Sequence, residues 1–311
     1  MANRVGMAMI AVGIDLGGTK IEAQIFDADW ACVDKRRVKT PQNYASIVTA
    51  VAQQIAWADA RAGAALPVGI GAAGLVRPAT GLAYTANLDA MDRPLPTDIA
   101  KAAGRSVTYI NDCRALALSE AVFGAGQGKT PVAGLILGTG VGGGLATDGR
   151  LASGFAAVGG EFGHFTASAH LIKLHDLPVV KCGCGRFACT ETLVSGPGLT
   201  RLAQRFVGQE LTPEQLVLAR ATDAMAARAW TVWCDLVADL LITLVYTCDP
   251  AAIVIGGGLS KIPNLIRDLT APLQKAQLPG FAIPELLLAQ GGDASGARGA
   301  AYAAFQEQAM T

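Results

Sequence analysis

The chain has 311 residues, which is enough for two domains, and 51% of them are hydrophobic while 16% are charged. This composition excludes intrinsic disorder, and a formal net charge of +0 excludes recognition of nucleic acid or anionic lipid through bulk charge. Three of the seven cysteines are clustered and four are scattered, as expected in a reducing compartment, and the start has no cleavable signal pattern. We therefore expect a cytoplasmic protein.

The first part of the chain predicts alternating strands and helices. Met7–Leu16 reads as a buried strand and Ile21–Phe26 as its hairpin partner, with the glycine turn of D-L-G-G-T between them. The next predicted elements are a helix at Asn43–Gly63, strands at Pro67–Gly71 and Ser106–Ile110, and a helix at Arg114–Phe123. Asn111 and Asp112 therefore follow the end of a strand.

The second part repeats this pattern. A strand at Val132–Leu137 leads into a glycine turn at Gly138–Gly144, and Asp148-Gly149 predicts a further hairpin turn. The later predicted elements are a helical region at Pro213–Tyr246, strands at Ala252–Ile255 and Leu286–Ala289, and a helix at Gly296–Gln308. The repetition indicates a weak duplication of architecture, with a boundary between about Glu120 and Pro131. The apolar run Leu236–Cys248 contains Asp239 and is too short to span a bilayer.

Three thiols and one imidazole in the middle of the chain form the ligand set of a closed, structural zinc site. The four residues are His164, Cys182, Cys184 and Cys189. Gly183 and Gly185 allow the backbone to fold tightly between the thiols. Glu161 and Glu191 flank the ligands, which indicates that the metal shapes a loop around something polar. The alternative is three core cysteines and an unrelated histidine; His170 and His175 lie in the connecting loop and read as surface residues.

Two glycine-rich stretches resemble nucleotide motifs that the sequence does not complete. Gly124–Thr130 resembles a P-loop, but Phe123 stands where that motif requires glycine. Gly138, Gly140 and Gly143 match the dinucleotide fingerprint, which must open a helix, whereas this stretch continues into a D-G hairpin. Both a P-loop and a Rossmann dinucleotide site are therefore disfavoured.

The glycine turns near Asp15 and near Thr139 are better explained as a pair that binds phosphate through backbone N–H groups. Thr19 and Thr139 add hydroxyl donors, and Asp15 is placed to hold Mg²⁺ through water. Either turn alone could be an ordinary tight turn. Together with Gly256–Gly258 after a third strand, they favour a nucleotide triphosphate site across a cleft.

These motifs together resemble the ROK family of sugar kinases, within the superfamily of actin-like, Hsp70-like and hexokinase-like ATPases. The motifs are G-I-D-L-G-G-T-K, N-D, G-L-I-L-G-T-G-V-G-G-G-L, G-G-E-F-G-H, C-G-C-G-x-x-x-C-x-E, V-I-G-G-G-L-S and G-D-A-S-G-A-R-G-A-A. The second phosphate loop, the Tyr84–Leu88 stretch and the C-terminal stretch are most similar to the N-acetylglucosamine kinases of that family.

The resemblance implies an α/β fold of the two-domain, actin-like (ribonuclease H-like) type with an interdomain cleft. The implied domains are residues 1–122, completed by the C-terminal helix at 296–311, and residues 123–295. It also implies ATP-dependent phosphorylation of a sugar 6-hydroxyl, with N-acetyl-D-glucosamine as the expected sugar. ATP, Mg²⁺ and a structural Zn²⁺ are the implied cofactors, and a cytoplasmic homodimer that binds no nucleic acid or membrane is the implied assembly.

The resemblance assigns roles to residues at matching positions. Asp112 is the implied general base. The implied ATP-binding residues are Gly13, Ile14, Asp15, Leu16, Gly17, Gly18, Thr19, Lys20, Gly138, Thr139, Gly140, Val141, Gly142, Gly143, Gly144, Leu145, Gly256, Gly257 and Gly258. The implied sugar-binding residues are Gly74, Asn87, Asn111, Asp112, Glu161, His164 and Glu191. The implied zinc ligands are His164, Cys182, Cys184 and Cys189.

The proposed chemistry also fits the residues without the resemblance. A sugar hydroxyl is a poor nucleophile, so one carboxylate must accept its proton, and Asp112 at a strand end suits that role. Without the flanking motifs, Asp112 could equally be a helix-capping residue. Arg114 and Ala188 depart from the family pattern, which leaves glucose, fructose and N-acetylmannosamine open as alternative sugars.

Two other functions within the superfamily are disfavoured. A ROK repressor carries a helix-turn-helix domain ahead of the kinase-like core, whereas Asp15 already lies in the first phosphate loop. An ATP-driven filament or chaperone protein needs neither the cysteine cluster nor its flanking glutamates.

Overall fold

The computed structural model of the protein describes residues 8–292 and 295–310. Met7 of the first predicted strand and Asp293 and Ala294 of the last motif lie outside the described residues. The chain divides into two compact units: unit 1 is Met1–Gly124, Gly149–Gly159 and Gly291–Thr311, and unit 2 is Ala125–Asp148 and Gly160–Gln290. These units differ from the expected domain limits mainly in the short segment Gly149–Gly159, which groups with unit 1.

Unit 1 is built on a five-stranded sheet with the order β3-β2-β1-β4-β7. The strands of this part are β1 (Met9–Leu16), β2 (Lys20–Asp27), β3 (Cys32–Lys39), β4 (Val68–Ala72), β5 (Leu75–Val76), β6 (Ala83–Tyr84) and β7 (Thr108–Asn111). β1, β2 and β3 are antiparallel, while β1, β4 and β7 run parallel, with Leu16 opposite Ala72 and Ala72 opposite Asn111. The carboxyl ends of the three parallel strands therefore meet at one edge of the sheet.

The helices of unit 1 follow local signals in the sequence. They are α1 (Tyr44–Ala62), α2 (Leu95–Ala103), α3 (Asp112–Phe123) and the C-terminal α10 (Ser295–Gln308). The side chain of Asn43 caps the N-terminus of α1, and Gly63 ends the helix in the left-handed conformation, as the sequence predicts. β3, α2 and the two-residue strands β5 and β6 were not predicted from the sequence.

The C-terminal helix α10 packs against the sheet at van der Waals distance from its backbone. A Cβ atom on Gly13 of β1 would lie 1.9 Å from the carbonyl oxygen of Ala297, and one on Gly69 of β4 would lie 1.8 Å from that of Ala300. Glycine at these two strand positions is therefore what allows the helix to approach so closely.

Unit 2 also has a hairpin beside parallel strands. The strands of unit 2 are β8 (Val132–Leu137), β9 (Val141–Thr147), β11 (Ala252–Gly256) and β12 (Glu285–Leu288), while the short β10 (Arg150–Leu151) lies in the Gly149–Gly159 segment of unit 1. β9 pairs antiparallel with β8, and β8, β11 and β12 are parallel. The predicted glycine turn at Gly138–Gly144 is too long, because Val141 already pairs with Leu137 and the turn proper spans only residues 138–140.

The helices of unit 2 surround the long apolar helix α8. They are α4 (Ala169–His175), α5 (Glu191–Val194), α6 (Gly196–Val207), α7 (Pro213–Ala219), α8 (Ala224–Cys248) and α9 (Leu265–Ala276), with short 3₁₀ helices at Phe162–His164 and Gly258–Lys261. By length and composition α8 could cross a membrane, but 61% of its apolar window is buried and it forms the core of unit 2.

The connection between His164 and Cys182 is not the simple loop that we expected. It contains α4, whose N-terminus is capped by the Ser168 side chain, and this helix includes both His170 and His175. His170 is exposed as predicted, whereas His175 is only partly exposed. A helix of about two turns with no buried residue gives too weak a periodic pattern to be recognised from the sequence.

Candidate functional site

In unit 1 the candidate base lies where β7 passes into α3. Asp112 is the first residue of α3, and Asn111 caps the helix by accepting hydrogen bonds from the backbone N–H groups of Cys113 (2.9 Å) and Arg114 (3.2 Å). The backbone N–H of Cys113 also donates to Oδ1 of Asp112 at 2.9 Å, which fixes the carboxylate. Burial raises the pKa of Asp112 above its ordinary value, and the Cys113 hydrogen bonds partly oppose that rise.

The first glycine turn lies at the same edge of the sheet. The hairpin between β1 and β2 turns at residues 17–19, and Thr40 supports it by donating from its hydroxyl to the Gly17 carbonyl (2.6 Å) and from its backbone N–H to the Thr19 carbonyl (3.1 Å). A Cβ on Gly18 would lie 2.7 Å from the carbonyl oxygen of Asn87. The turn and the Asn87 loop are therefore in direct contact within unit 1.

Asn111 connects this edge to the Gly74 loop. Its side-chain amide donates to the Gly74 carbonyl oxygen at 3.1 Å. Gly74 has φ +106, and a Cβ there would lie 2.4 Å from the carbonyl oxygen of Tyr84, so the loop requires glycine. Unit 1 thus brings together Gly18, Gly74, Asn87, Asn111 and Asp112, which the sequence analysis selected separately.

In unit 2 two glycine turns lie at the carboxyl ends of neighbouring parallel strands. Residues 138–140 follow β8, and Gly257 and Gly258 follow β11. Gly257 has φ +87, and a Cβ on it would lie 2.4 Å from the carbonyl oxygen of Leu137. The Gly138 carbonyl accepts a hydrogen bond from the backbone N–H of Gly196 at 2.8 Å, which ties the first turn to the start of α6.

Several residues selected for ATP binding have side chains that are already used by the fold. Ile14 and Leu16 are completely buried in the core of unit 1, and Gly13 is needed for contact with α10. A Cβ on Gly143 would lie 2.1 Å from the carbonyl oxygen of Gly134. These positions could meet a nucleotide only through exposed backbone, whereas the turns at 17–19, 138–140 and 257–258 offer N–H groups outside the strands.

The four selected metal ligands lie together in unit 2. One ligand atom from each of His164, Cys182, Cys184 and Cys189 can be chosen so that all lie within 4.8 Å of one another. Sγ of Cys184 lies 3.6 Å from Sγ of Cys189, and Sγ of Cys182 lies 3.7 Å from Nδ1 of His164. A tetrahedral zinc ion with Zn–S bonds of about 2.3 Å separates its sulfur ligands by about 3.8 Å, so the donor set and its spacing fit zinc.

The loop geometry of the cluster depends on its glycine at position 185. Gly185 has φ +91, and its backbone N–H donates to the Cys182 carbonyl at 2.9 Å. Burial raises the pKa of Cys182 to about 12 and also raises the pKa of Cys189. A hydrogen bond from the Arg186 backbone lowers the pKa of Cys184, the most accessible of the three thiols to solvent.

The two flanking glutamates lie next to this cluster. Oε2 of Glu161 is 3.5 Å from Nε2 of His164. Oε1 of Glu191 accepts from the Cys182 thiol at 3.1 Å, and its Oε2 accepts from the backbone N–H of Val141 at 3.2 Å. Glu191 therefore connects the cysteine cluster to the second glycine turn, a link between residues 50 positions apart that the sequence alone does not reveal.

Comparison with known proteins gives consistent matches along the whole chain. The ROK family model matches residues 11–307. The chain is 42% identical to the N-acetylgalactosamine kinase AgaK of Shewanella sp. (strain ANA-3), over 93% of this chain and 94% of the relative. It is 38% identical to the N-acetyl-D-glucosamine kinase of Pectobacterium atrosepticum, over 93% and 97% of the two chains. Among solved structures, the ROK hexokinase of Thermus thermophilus superposes with a TM-score of 0.86 at 32% identity, over 96% and 99% of the two chains.

Proposed function

The chain belongs to the ROK family and has the two-domain, actin-like ATPase fold, and from this premise we propose that it is an ATP-dependent kinase of N-acetyl-D-glucosamine. The proposed reaction transfers the γ-phosphoryl group of ATP to the sugar 6-hydroxyl. The observation that carries the proposal is the position of Asp112: a carboxylate fixed at the carboxyl end of β7, at the sheet edge that also carries the Gly17–Thr19 turn.

We assign the general base to Asp112. Its carboxylate accepts the proton of the attacking hydroxyl, since an alcohol becomes an adequate nucleophile only as that proton leaves. Asn111, Gly74 and Asn87 supply amide and backbone groups near Asp112 in unit 1, and Glu161, His164 and Glu191 supply sugar-binding groups from unit 2. Each carboxylate can accept hydrogen bonds from two neighbouring sugar hydroxyls.

We assign the triphosphate to the turns at 17–19 and 138–140, and the adenosine side to Gly256–Gly258. Backbone N–H groups in such turns bind phosphate oxygens, and Asp15, in β1 just before the 17–19 turn, is placed to hold a hydrated cation. A bound Mg²⁺ would neutralise negative charge on the phosphates. The proposed domain limits, 1–122 with 296–311 and 123–295, divide these groups between the two halves of the chain.

We further propose that His164, Cys182, Cys184 and Cys189 bind one structural zinc ion. A bound zinc supplies a cross-link between the 3₁₀ turn of His164 and the cysteine loop, and four protein ligands leave no open position for catalysis. We expect elemental analysis of freshly purified protein to find about one zinc per chain. His164→Ala should lose the zinc and raise the sugar KM, because Glu161 is next to that imidazole; protein without zinc would contradict the assignment.

A second candidate sugar is N-acetyl-D-galactosamine, the C4 epimer. It is favoured by the relative at 42% identity that is named for this sugar. A coupled assay for ADP release should compare N-acetylglucosamine, N-acetylgalactosamine, N-acetylmannosamine, glucose and fructose by kcat/KM. We expect the highest value for N-acetylglucosamine; a higher value for its C4 epimer would select the second candidate, and no ADP release with any sugar would refute the kinase proposal.

The role of Asp112 is tested by Asp112→Asn. This change keeps the shape and one acceptor oxygen but removes the base, so we expect kcat to fall by about 10²–10⁴-fold while the sugar KM changes little. Asp239→Asn is a matched control, because Asp239 is a partly buried aspartate of α8 whose pKa burial also raises. A near-normal kcat for Asp112→Asn would place the base elsewhere.

We also propose that the protein acts in the cytoplasm as a homodimer, without nucleic-acid or membrane partners. The neutral net charge supports the absence of nucleic-acid binding, and the burial of α8 supports a soluble chain. Light scattering of the purified protein would measure its oligomeric state.

A further inference from the structure

Arg114 is a buried arginine two residues after the candidate base. It lies in the first turn of α3, and only 8% of its surface is exposed. Its guanidinium donates hydrogen bonds to the carbonyl oxygens of Ala152 at 2.9 Å, Ser153 at 3.2 Å and Ala157 at 3.4 Å. One side chain therefore contacts three carbonyl groups of a single short segment.

That segment, residues 152–159, buries few of its side chains. Most of its residues are exposed, and Phe155 is completely so. Gly154 has φ +69 and Ala157 has φ +55, and a left-handed alanine is strained. A strained and exposed backbone keeps one conformation only where neighbouring groups fix it, and the three hydrogen bonds from Arg114 do so.

The residue that follows the segment is fixed within unit 2. Directly after it, Gly160 accepts a hydrogen bond from the backbone N–H of Gly143 at 2.7 Å, and a Cβ on Gly160 would lie 2.1 Å from the Gly143 carbonyl oxygen. Glu161 and the 3₁₀ turn that carries His164 follow at once. The backbone leading to Glu161 is thus fixed by Arg114 before residue 158 and by Gly143 at residue 160.

We propose that Arg114 is a positioning residue for sugar binding: it fixes the 152–159 segment and, through it, the backbone that carries Glu161. This inference rests on the proposed function in one respect, namely that Glu161 contacts the sugar. The side chain suits the task because the planar guanidinium offers five donors in a fixed fork on separate nitrogens, whereas a lysine ammonium is a compact point charge whose three donors share one nitrogen.

The kinetic test compares Arg114→Ala and Arg114→Lys with the wild-type enzyme. We expect Arg114→Ala to raise the KM of the preferred sugar about tenfold, as loss of charge-assisted hydrogen bonds would, and to leave the KM of ATP within about twofold. Arg114→Lys should lie between. Arg205→Ala is the matched control, because Arg205 is an exposed arginine that donates to the Asp176 carbonyl and carboxylate, and it should change neither constant.

A second measurement requires no sugar. Chymotrypsin should cleave after Phe155 faster in Arg114→Ala than in the wild-type protein, because cleavage requires local opening of the segment. Wild-type rates of cleavage together with a wild-type sugar KM would overturn the inference, and so would equal increases in the KM of both substrates. If the wild-type protein phosphorylates no sugar, the proposed function fails while the cleavage rates still decide whether Arg114 fixes the segment. If Arg114→Ala does not fold, the KM values and the cleavage rate of Arg114→Lys are compared with those of the wild type instead.

Discussion

At the scale of single residues, Asp112, the proposed base, carries a cost in stability. Burial raises the pKa of its carboxyl, so the folded protein binds that proton more tightly than the unfolded chain does. The stabilising contribution is fully present below the unfolded pKa and is lost as pH rises through the folded pKa. At neutral pH the ionised carboxylate is therefore a net cost to the fold, which is in keeping with the proposed catalytic role.

The raised pKa of Asp112 predicts a pH dependence of kcat and a change in Tm for the Asp112→Asn variant. The kcat of the wild-type enzyme should fall as the pH is lowered through a pKa above 3.8, the ordinary value for aspartate, because only the ionised carboxylate accepts a proton. Asp112→Asn should have a higher Tm than wild type at pH 7 and lose that advantage in acid. Asp239→Asn should show the same change in Tm with an unchanged kcat profile. Calorimetry at several pH values and a pH–rate profile measure both; a lower Tm for Asp112→Asn at pH 7 would contradict the sign.

At the scale of elements, α10 and the central strands show how glycine positions a helix. Both Gly13 and Gly69 face the backbone of α10, and no side chain larger than hydrogen fits between. α10 also packs on α3 in unit 1, where a Cβ on Gly299 would lie 1.8 Å from the Ala115 carbonyl oxygen. The helix that begins with Asp112 is therefore in direct backbone contact with α10.

Two glycines of the same strand allow a matched test of this packing. A Cβ on Gly69 would lie 1.8 Å from a backbone oxygen, whereas one on Gly71 would lie 3.4 Å from its nearest neighbour. We expect Gly69→Ala to lower the free energy of unfolding by about 1–3 kcal/mol or more, as overpacking does, and Gly71→Ala to have a smaller effect. Urea denaturation monitored by circular dichroism provides the comparison; equal stability of the two variants would refute the steric argument.

The sequence predicted those elements whose signals are local. The β1–β2 hairpin, α1 with its Asn43 cap and Gly63 stop, and the cysteine cluster all follow from residues close together in the chain. β3 was missed because it is a charged edge strand, C-V-D-K-R-R-V-K, without a clear apolar alternation. α6 was missed because its G-P-G start reads as a loop, although Ser195 caps it.

The residues of the candidate site could be predicted from the sequence, but the contacts between them could not. Its glycines, acids and thiols are visible in the sequence because chemistry restricts their types and spacing. The contact of Glu191 with Val141 and that of Arg114 with the Ala152 carbonyl join residues distant in the chain. Such contacts depend on tertiary packing, and no local pattern encodes them.

At the scale of the whole molecule, each unit has its own apolar core. The core of unit 1 includes Ile14, Val51 and Ile70, while that of unit 2 is centred on α8 and includes Trp233 and Leu241. The indole N–H of Trp233 donates to the Val194 carbonyl at 3.1 Å, which connects α8 to the short helix that begins with Glu191. Stability of the proposed zinc and sugar residues in unit 2 therefore depends on α8.

Because the two cores are separate, we expect a destabilising substitution in one unit to increase local unfolding mainly in that unit. Leu241 is completely buried, and Leu241→Ala should destabilise unit 2 by about 2–5 kcal/mol through lost contacts and a cavity. In hydrogen exchange, we expect amides of β8, β11 and α6 to lose protection while those of β1 and β4 keep theirs. Ile55→Ala, a truncation of an equally buried α1 residue in unit 1, should give the reverse pattern. Equal loss of protection in both units with either variant would mean that the two cores unfold as one cooperative structure.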